Sequence, residues 1–353
     1  MRMKVRHAKR LLAKEVIPFT RQVSSMFGSG MAILAVMQTL RDQCADVDFK
    51  GVLQHLCDVI EQGESLSKGV ADYPQLFDEM YVNMMIAGEQ SGKFDAVMKR
   101  LVTILQSAAR LQHKVKSAMT YPTVVVSIAL LLAAGLIQFV VPIFAEMFSG
   151  MGKELPMLTQ ALVNLSNFVK ANWAYILGGV AVVAFGFVKW KATEGGRMRL
   201  DELKLRLPVF GPLLQKVAIA RFCRLMAQMI AAGVPILTAL KVVAGSLGNC
   251  VYRESVLAAR REVEQGNQVS PSLEGKPYMP LLMVRMLSAG EKSGREREMF
   301  ESVAETYEEE VEVMLNTLTS LMEPFLMVLL GVVIGTIVLA MFMPIFKLGS
   351  LAM

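Results

Sequence analysis

Cysteine and histidine are scarce in this chain, with four of the first and three of the second among 353 residues. Cys44, Cys57, Cys223 and Cys250 form no CxxC pair, and His55 two residues before Cys57 makes no recognised ligand spacing, so neither a zinc site nor a disulfide framework is indicated. His7, His55 and His113 are scattered, and a metal centre would need them to converge with other ligands. Also missing are a nucleophile elbow and a glycine-rich cofactor turn, which leaves no catalytic or cofactor-binding residue to name. Charge is thin as well. Only 19% of residues are Asp, Glu, Lys or Arg while 54% are hydrophobic, too apolar for a chain wholly in water and too charged for one made only of membrane spans. The mean hydropathy of +0.44 agrees.

What charge there is falls unevenly. Thr123 to Ala145, Trp173 to Val188 and Pro324 to Phe346 contain no acidic or basic side chain, over about the length a helix needs to cross a ~30 Å hydrocarbon layer. Trp173, Tyr175 and Trp190 would anchor the shorter second stretch at the interfaces. The N-terminal residues Met1 to Val16 are basic and lack the apolar core of a secretory signal. A net charge of +6 could suggest nucleic acid, but beside membrane spans a basic excess sets topology, because Lys- and Arg-rich flanks stay in the cytoplasm. Arg100, Arg110, Lys114 and Lys116 precede the first stretch, and Lys189, Lys191, Arg197, Arg199, Lys204 and Arg206 follow the second, whereas the loop between carries only Lys153 and Lys170. The expected orientation therefore has a cytoplasmic N-terminus, a loop outside, and a last span leading to an outside tail with Lys347 as its only basic residue.

The chain also repeats itself, at an offset of 203 residues that falls to 202 after a one-residue indel. Phe19, Arg21, Met26, Gly30, Ile33 and Leu34 meet Phe222, Arg224, Met229, Gly233, Ile236 and Leu237. Ala87-Gly88-Glu89-Gln90-Ser91-Gly92 meets Ala289-Gly290-Glu291-Lys292-Ser293-Gly294, Tyr121-Pro122 meets Glu323-Pro324, and Pro142-Ile143-Phe144 meets Pro344-Ile345-Phe346. Each unit thus carries a water-exposed module and its own span. Two such copies facing one compartment cannot be joined without a return crossing, which assigns the unrepeated second stretch to that role and relates the copies by an approximate two-fold axis along the membrane normal.

Each module reads as helices. Leu53, Leu56 and Ile60, with Val256, Ala259 and Val263, recur at helical spacing, and no alternating run long enough for a sheet occurs. Phe94, Val97, Leu101, Ile104, Ala108, Leu111, Val115 and Ala118 form a heptad seam, read as the inner face of a bundle. Glu305, Glu308, Glu309 and Glu312 give the second copy's long helix an acidic, solvated face that could also meet a basic partner. The fold class is then all-α: a polytopic membrane protein with three transmembrane helices and two repeated cytoplasmic helical-bundle modules. Its divisions are 1–120 for the first module, 123–145 for the first span, 146–172 for the outer loop, and 173–190 for the return helix. The second module takes 191–322, the last span 324–346 and the tail 347–353.

Gly88-Glu-Gln-Ser-Gly92-Lys93 superficially resembles a phosphate loop, but the glycine spacing is one short and Phe94 stands where a magnesium-binding hydroxyl belongs. A helix-turn-helix connector is the expectation, with Gly88 and Gly290 ending one helix and Ser91 or Ser293 capping the next, and Glu89 and Glu291 as partner contacts or hydrogen bonds inside the module. Tyr121-Pro122 and Glu323-Pro324 mark where the spans enter lipid, a place where proline suits the first turn of a helix. Pro142 and Pro344 should kink or end their spans. Small residues Ala133, Ala134 and Gly135, and the Gly331/Gly335 pair, would allow close helix contact. A transporter or channel subunit would need a polar route, and the spans hold no ionisable group, Gln138 being a lone polar residue. A membrane enzyme or sensor would need a polar cavity in a module.

Duplicated in this order around three spans, these elements resemble the type II secretion F family, the inner-membrane platform proteins of type II secretion and type IV pilus assembly, over about Phe19 to Phe346. The start almost directly on the first module looks like the shorter type IVb or conjugative thin-pilus members. The resemblance implies a non-enzymatic scaffold in the bacterial inner membrane, without cofactors, homo-oligomeric, whose partners are a hexameric assembly ATPase, other platform subunits, pilin subunits and membrane lipid, with no nucleic acid.

Overall fold

Three helix starts in the first module are capped by short acceptor side chains. The Asp46 carboxylate accepts from the Asp48 and Phe49 amides, the Ser65 hydroxyl from Lys68 and the Asp78 carboxylate from Tyr81, each satisfying a donor that the first turn leaves unpaired. In the computed structural model, which describes residues 12–140, 142–143, 146, 157–208 and 210–349, the first module runs α1 (Ile17–Gly28), α2 (Ile33–Gln43), α3 (Val47–Glu61), α4 (Leu66–Ala71), α5 (Glu79–Ser91) and α6 (Phe94–Gly135), with these caps at the starts of α3, α4 and α5. A π-helical turn, Leu12–Val16, precedes α1. Then come α7 (Met157–Ala192) and α8 (Glu194–Arg206), and the set is repeated as α9 (Phe210–Ala231), α10 (Ile236–Ser246), α11 (Cys250–Glu264), α12 (Val269–Leu273), α13 (Leu281–Ser293) and α14 (Glu296–Gly349). Among the described residues there is no strand, so the protein is all-α.

The sequence offset reappears as geometry: α2, α3 and α4 start 203 residues before α10, α11 and α12, and α5 and α6 start 202 before α13 and α14. The indel therefore lies in the connection between the short fourth helix and the fifth. Each module closes on an aromatic and methionine-rich core. In the first, Phe19 meets Phe49 edge-on at 5.7 Å, Phe77 lies 4.9 Å from Tyr81, and the buried Thr20 hydroxyl shares a 3.0 Å hydrogen bond with the Tyr81 hydroxyl. In the second, Phe222 meets Phe300 at 6.0 Å and the buried Tyr252 donates to the Tyr278 carbonyl at 3.1 Å. Burial without an acceptor would cost a tyrosine hydroxyl about 1–3 kcal/mol, which these bonds avoid.

The chain divides into two compact units. One holds both modules, through His113 and from Met198 to Glu312; the other holds Lys114–Arg197 and the residues from Val313 on. Inside the first unit the modules meet where α5 packs on α10, and Lys241 pairs with Glu79 at 3.0 Å. Inside the second, the Thr159 hydroxyl of α7 donates to the Ala340 carbonyl of α14, both residues being buried.

Several expectations about the long helices need correction. No break separates module from span: α6 runs unbroken for 42 residues and α14 for 54, about 63 and 81 Å of helix at 1.5 Å per residue. Pro122 and Pro324 accordingly stand inside helices, not in a first turn. Pro344 does not end its span, since α14 continues to Gly349, whereas α6 gives way to a π-helical stretch, Leu136–Val140, just before Pro142. The heptad seam is buried at Phe94, Val97, Leu101 and Ile104, but Ala108 is exposed. Two helices are long and apolar enough to cross a membrane among the described residues, Phe94–Val140 and Glu296–Ala340. The expected return span lies on the 36-residue α7 and is not among those two. Of the outer loop, 147–156 lies outside the described residues, as do Phe144, the N-terminal residues 1–11 and the tail from 350 on.

Candidate functional site

At the paired turns both copies keep the same polar residues in the same geometry. Gly92 and Gly294 end α5 and α13 in the left-handed region, at φ 67° and 69°, where a side chain would be strained. Gly88 and Gly290 were expected to do this, and do something else. They lie buried one turn earlier, inside the helix, where a Cβ on Gly88 would stand 3.0 Å from Val97 Cβ and one on Gly290 2.5 Å from Met299 Cγ. Their missing side chains let α5 touch α6, and α13 touch α14, at the hairpin's closed end. Nor do the serines cap the following helix: Ser91 donates to the Ala87 carbonyl at 2.7 Å and Ser293 to the Ala289 carbonyl at 2.8 Å, turned back on their own last turns.

The glutamates point the other way along the module. Glu89 accepts the Ser67 amide at 3.0 Å and the Ser67 hydroxyl, at the start of α4. Glu291 accepts the Val269 amide at 2.6 Å, the Ser270 amide at 3.1–3.2 Å and the Ser270 hydroxyl, at the start of α12. Negative charge against unpaired amides at a helix start is the favourable sense. Ser67 and Ser270 escaped the sequence reading; serine at the start of a short helix in both copies was the available signal. The arrangement holds a carboxylate on backbone amides and on a serine hydroxyl at a helix start. The remaining marked residues do not join this site: Tyr121 is exposed on α6, and Glu323 and Pro324 lie on α14, in the other compact unit.

Among the described residues no group of three His, Cys, Asp or Glu side chains could hold a metal ion. Cys57, Cys223 and Cys250 are buried and Cys44 is half-buried, all four outside any disulfide; burial pushes the Cys223 thiol up, away from reactivity. The second module adds a charged feature at Arg224, whose Nε and Nη2 donate to the two Glu308 carboxylate oxygens at 2.9 and 2.7 Å, with Glu301 and Glu305 at 3.8 and 4.0 Å.

The duplicated module ending in a long apolar helix is a family pattern. The family described as type II secretion system (T2SS), protein F matches residues 19–142 and again residues 222–344. The chain belongs to that family. It is similar to the type IV pilus assembly protein PilC of Pseudomonas aeruginosa, 36% identical over 97% of this chain and 92% of that protein. It is likewise 36% identical to PilC of Myxococcus xanthus, over 96% of this chain and 81% of that protein. Similarity to the type II secretion system protein F of Vibrio cholerae is 30%, over 94% of this chain and 82% of that protein. The matched family segments begin in α1 and α9 and end in the apolar portion of each copy, so module and span repeat as one unit.

Proposed function

We propose that this protein is an inner-membrane platform for type IV pilus assembly or type II secretion, and that it couples a cytoplasmic assembly ATPase to the incorporation of pilin subunits. The relatives' names support the machine class. The observation that carries the mechanical part is the fusion of each module's last helix to an apolar stretch, in α6 and α14, without an intervening loop. A helix resists bending where a linker does not, so a push on either module is carried along the rod toward its span. With no nucleotide-binding motif of its own, the chain must receive work through differential contact with two states of a partner. In this reading both modules face the cytoplasm, 173–190 crosses back, the C-terminus lies in the periplasm, and the paired turns at Gly88–Gly92 and Gly290–Gly294 keep each module rigid.

The test is co-expression of the full chain with the cognate secretion-type ATPase. The expected result is a stable complex in detergent and nucleotide turnover that rises when the chain is present in vesicles. Absence of any association in either nucleotide state, or ATP hydrolysis by this chain alone, would overturn the proposal.

A further inference from the structure

The two modules are copies in backbone but opposites in charge along one face. On α14 the residues Glu301, Glu305, Glu308 and Glu312 follow one another at helical spacing, and the positions 202 residues earlier on α6 are Lys99, Thr103, Gln106 and Arg110. The arginine that this face surrounds is the same in both copies. In the second module Arg224 is held by Glu308 in a two-pronged pair and is only 16% exposed. In the first module its counterpart Arg21 is exposed, has no ion pair among the described residues, and borders a shallow cleft with Ser25, Lys99 and Thr103. Lys99 has a carboxylate neighbour, Asp95 at 2.7 Å on its own helix, and Arg110 is exposed without a pair among the described residues. One copy thus neutralises its arginine internally through Glu308, while Glu309 stays exposed and Glu305, also exposed, stands at the outer edge of the pairing at 4.0 Å. The other leaves the equivalent arginine open.

We propose that the basic face of the first module, around Arg21, Lys99 and Arg110, docks the acidic face of α14, around Glu305 and Glu309, from a second copy of this chain. The second module is the template: it shows that carboxylates on this helix face reach this arginine. Opposed faces at equivalent places on two modules make a head-to-tail contact, which each copy can make once on either side, so the assembly grows to a ring or a row. Complementary charge of this kind sets partner choice and register. The proposal deepens the reading of the chain as a platform by naming the surface where copies meet. Its readout is self-association, so failure to bind an ATPase would leave it standing.

The experiment uses two differently tagged full-length copies, co-expressed and recovered in detergent at low salt. Reversal in either face alone, Arg21→Glu with Arg110→Glu or Glu305→Lys with Glu309→Lys, should reduce co-purification by about tenfold or more, and all four together should restore it. Association of the unaltered chain should also weaken as salt shortens the reach of exposed charges. If a reversed variant misfolds by thermal melting, the neutral pair Arg21→Gln with Arg110→Gln and the salt series read the same contact. Unchanged association in either single reversal, or no restoration in the fourfold variant, would sink the proposal. Loss only with the Arg21/Arg110 reversal would assign the face to a foreign acidic partner and refute docking by a second copy.

Discussion

Glu291 closes the start of a helix that precedes it in the chain, its carboxylate taking the Ser270 amide at 3.1–3.2 Å together with the Ser270 hydroxyl. Glu89 does the same for Ser67. These bonds cross a module from its fifth helix to its fourth, so each glutamate fixes the packing of a helix too short to be stable alone. Glu291→Gln and Glu89→Gln should each lower stability by about 1–2 kcal/mol. Thermal melting of the detergent-solubilised full chain measures this. A melting curve unchanged by both substitutions would return the glutamates to the role of partner contacts.

Gly88 and Gly290 should tolerate no side chain. Alanine at Gly88 sets a methyl 3.0 Å from Val97 Cβ and 3.3 Å from the Phe94 backbone, neither of which can swing aside. Gly88→Ala should destabilise by about 1–3 kcal/mol, the usual cost of overpacking. Gly290→Ala meets Met299 at its Cβ as well as its Cγ, and should cost a similar amount. Equilibrium unfolding in denaturant is the measurement, with Gly51→Ala as the control, since a Cβ there meets nothing within 4 Å.

Thr159 and Pro344 should act as a coupled pair through the Ala340 carbonyl. Proline has no amide hydrogen, so the carbonyl four residues before it, Ala340, loses its helical donor, and the Thr159 hydroxyl supplies one in its place. Thr159→Val should cost about 0.5–2 kcal/mol in the native protein and almost nothing once Pro344→Ala has restored the amide. A double-mutant cycle on unfolding in detergent reads the coupling directly. Strict additivity would show that the hydroxyl and the proline act independently.

Asp201 makes the second module acid-sensitive. Burial pushes its carboxyl up, but the Lys204 ammonium at 2.8 Å and the Cys250 amide at 3.1 Å outweigh burial and leave the group below the usual carboxylate range. A carboxyl lowered on folding contributes stability that is fully present above its unfolded value of about 3.9, and is lost as pH falls through the lower folded value. Asp201→Asn should therefore lower stability at neutral pH and flatten the loss below about pH 4. Stability measured from pH 7 to pH 3 checks it, and parallel curves for the two proteins would refute the assignment.

Much of this architecture was legible because it is written in local periodicity. Leu53 and Leu56, placed on a helix by their spacing, lie buried on α3, and Val256 and Ala259 occupy the same places on α11. The turn at Gly88–Gly92 was found from sequence, but its parts were assigned one helical turn off, since a glycine in a turn sequence can be a left-handed cap or a point of close contact, and only Val97 opposite distinguishes them. Ser67 and Ser270 were missed for a related reason. A cap that reaches across a module comes from a residue distant in sequence, so the repeated serine was its only local trace.

The sequence by itself determined the all-α class, the duplication and the charge-free stretches, because helical periodicity, a self-match at fixed offset and the absence of ionisable groups are properties of order along a chain. Only the tertiary structure decided that α6 and α14 pass through Pro122 and Pro324 without a break, that Glu89 and Glu291 hydrogen-bond inside their own modules, and that Arg224 is paired while Arg21 is exposed. Those facts depend on which side chains meet across helices, where a few ångströms of packing distance select among partners that are equally distant in sequence.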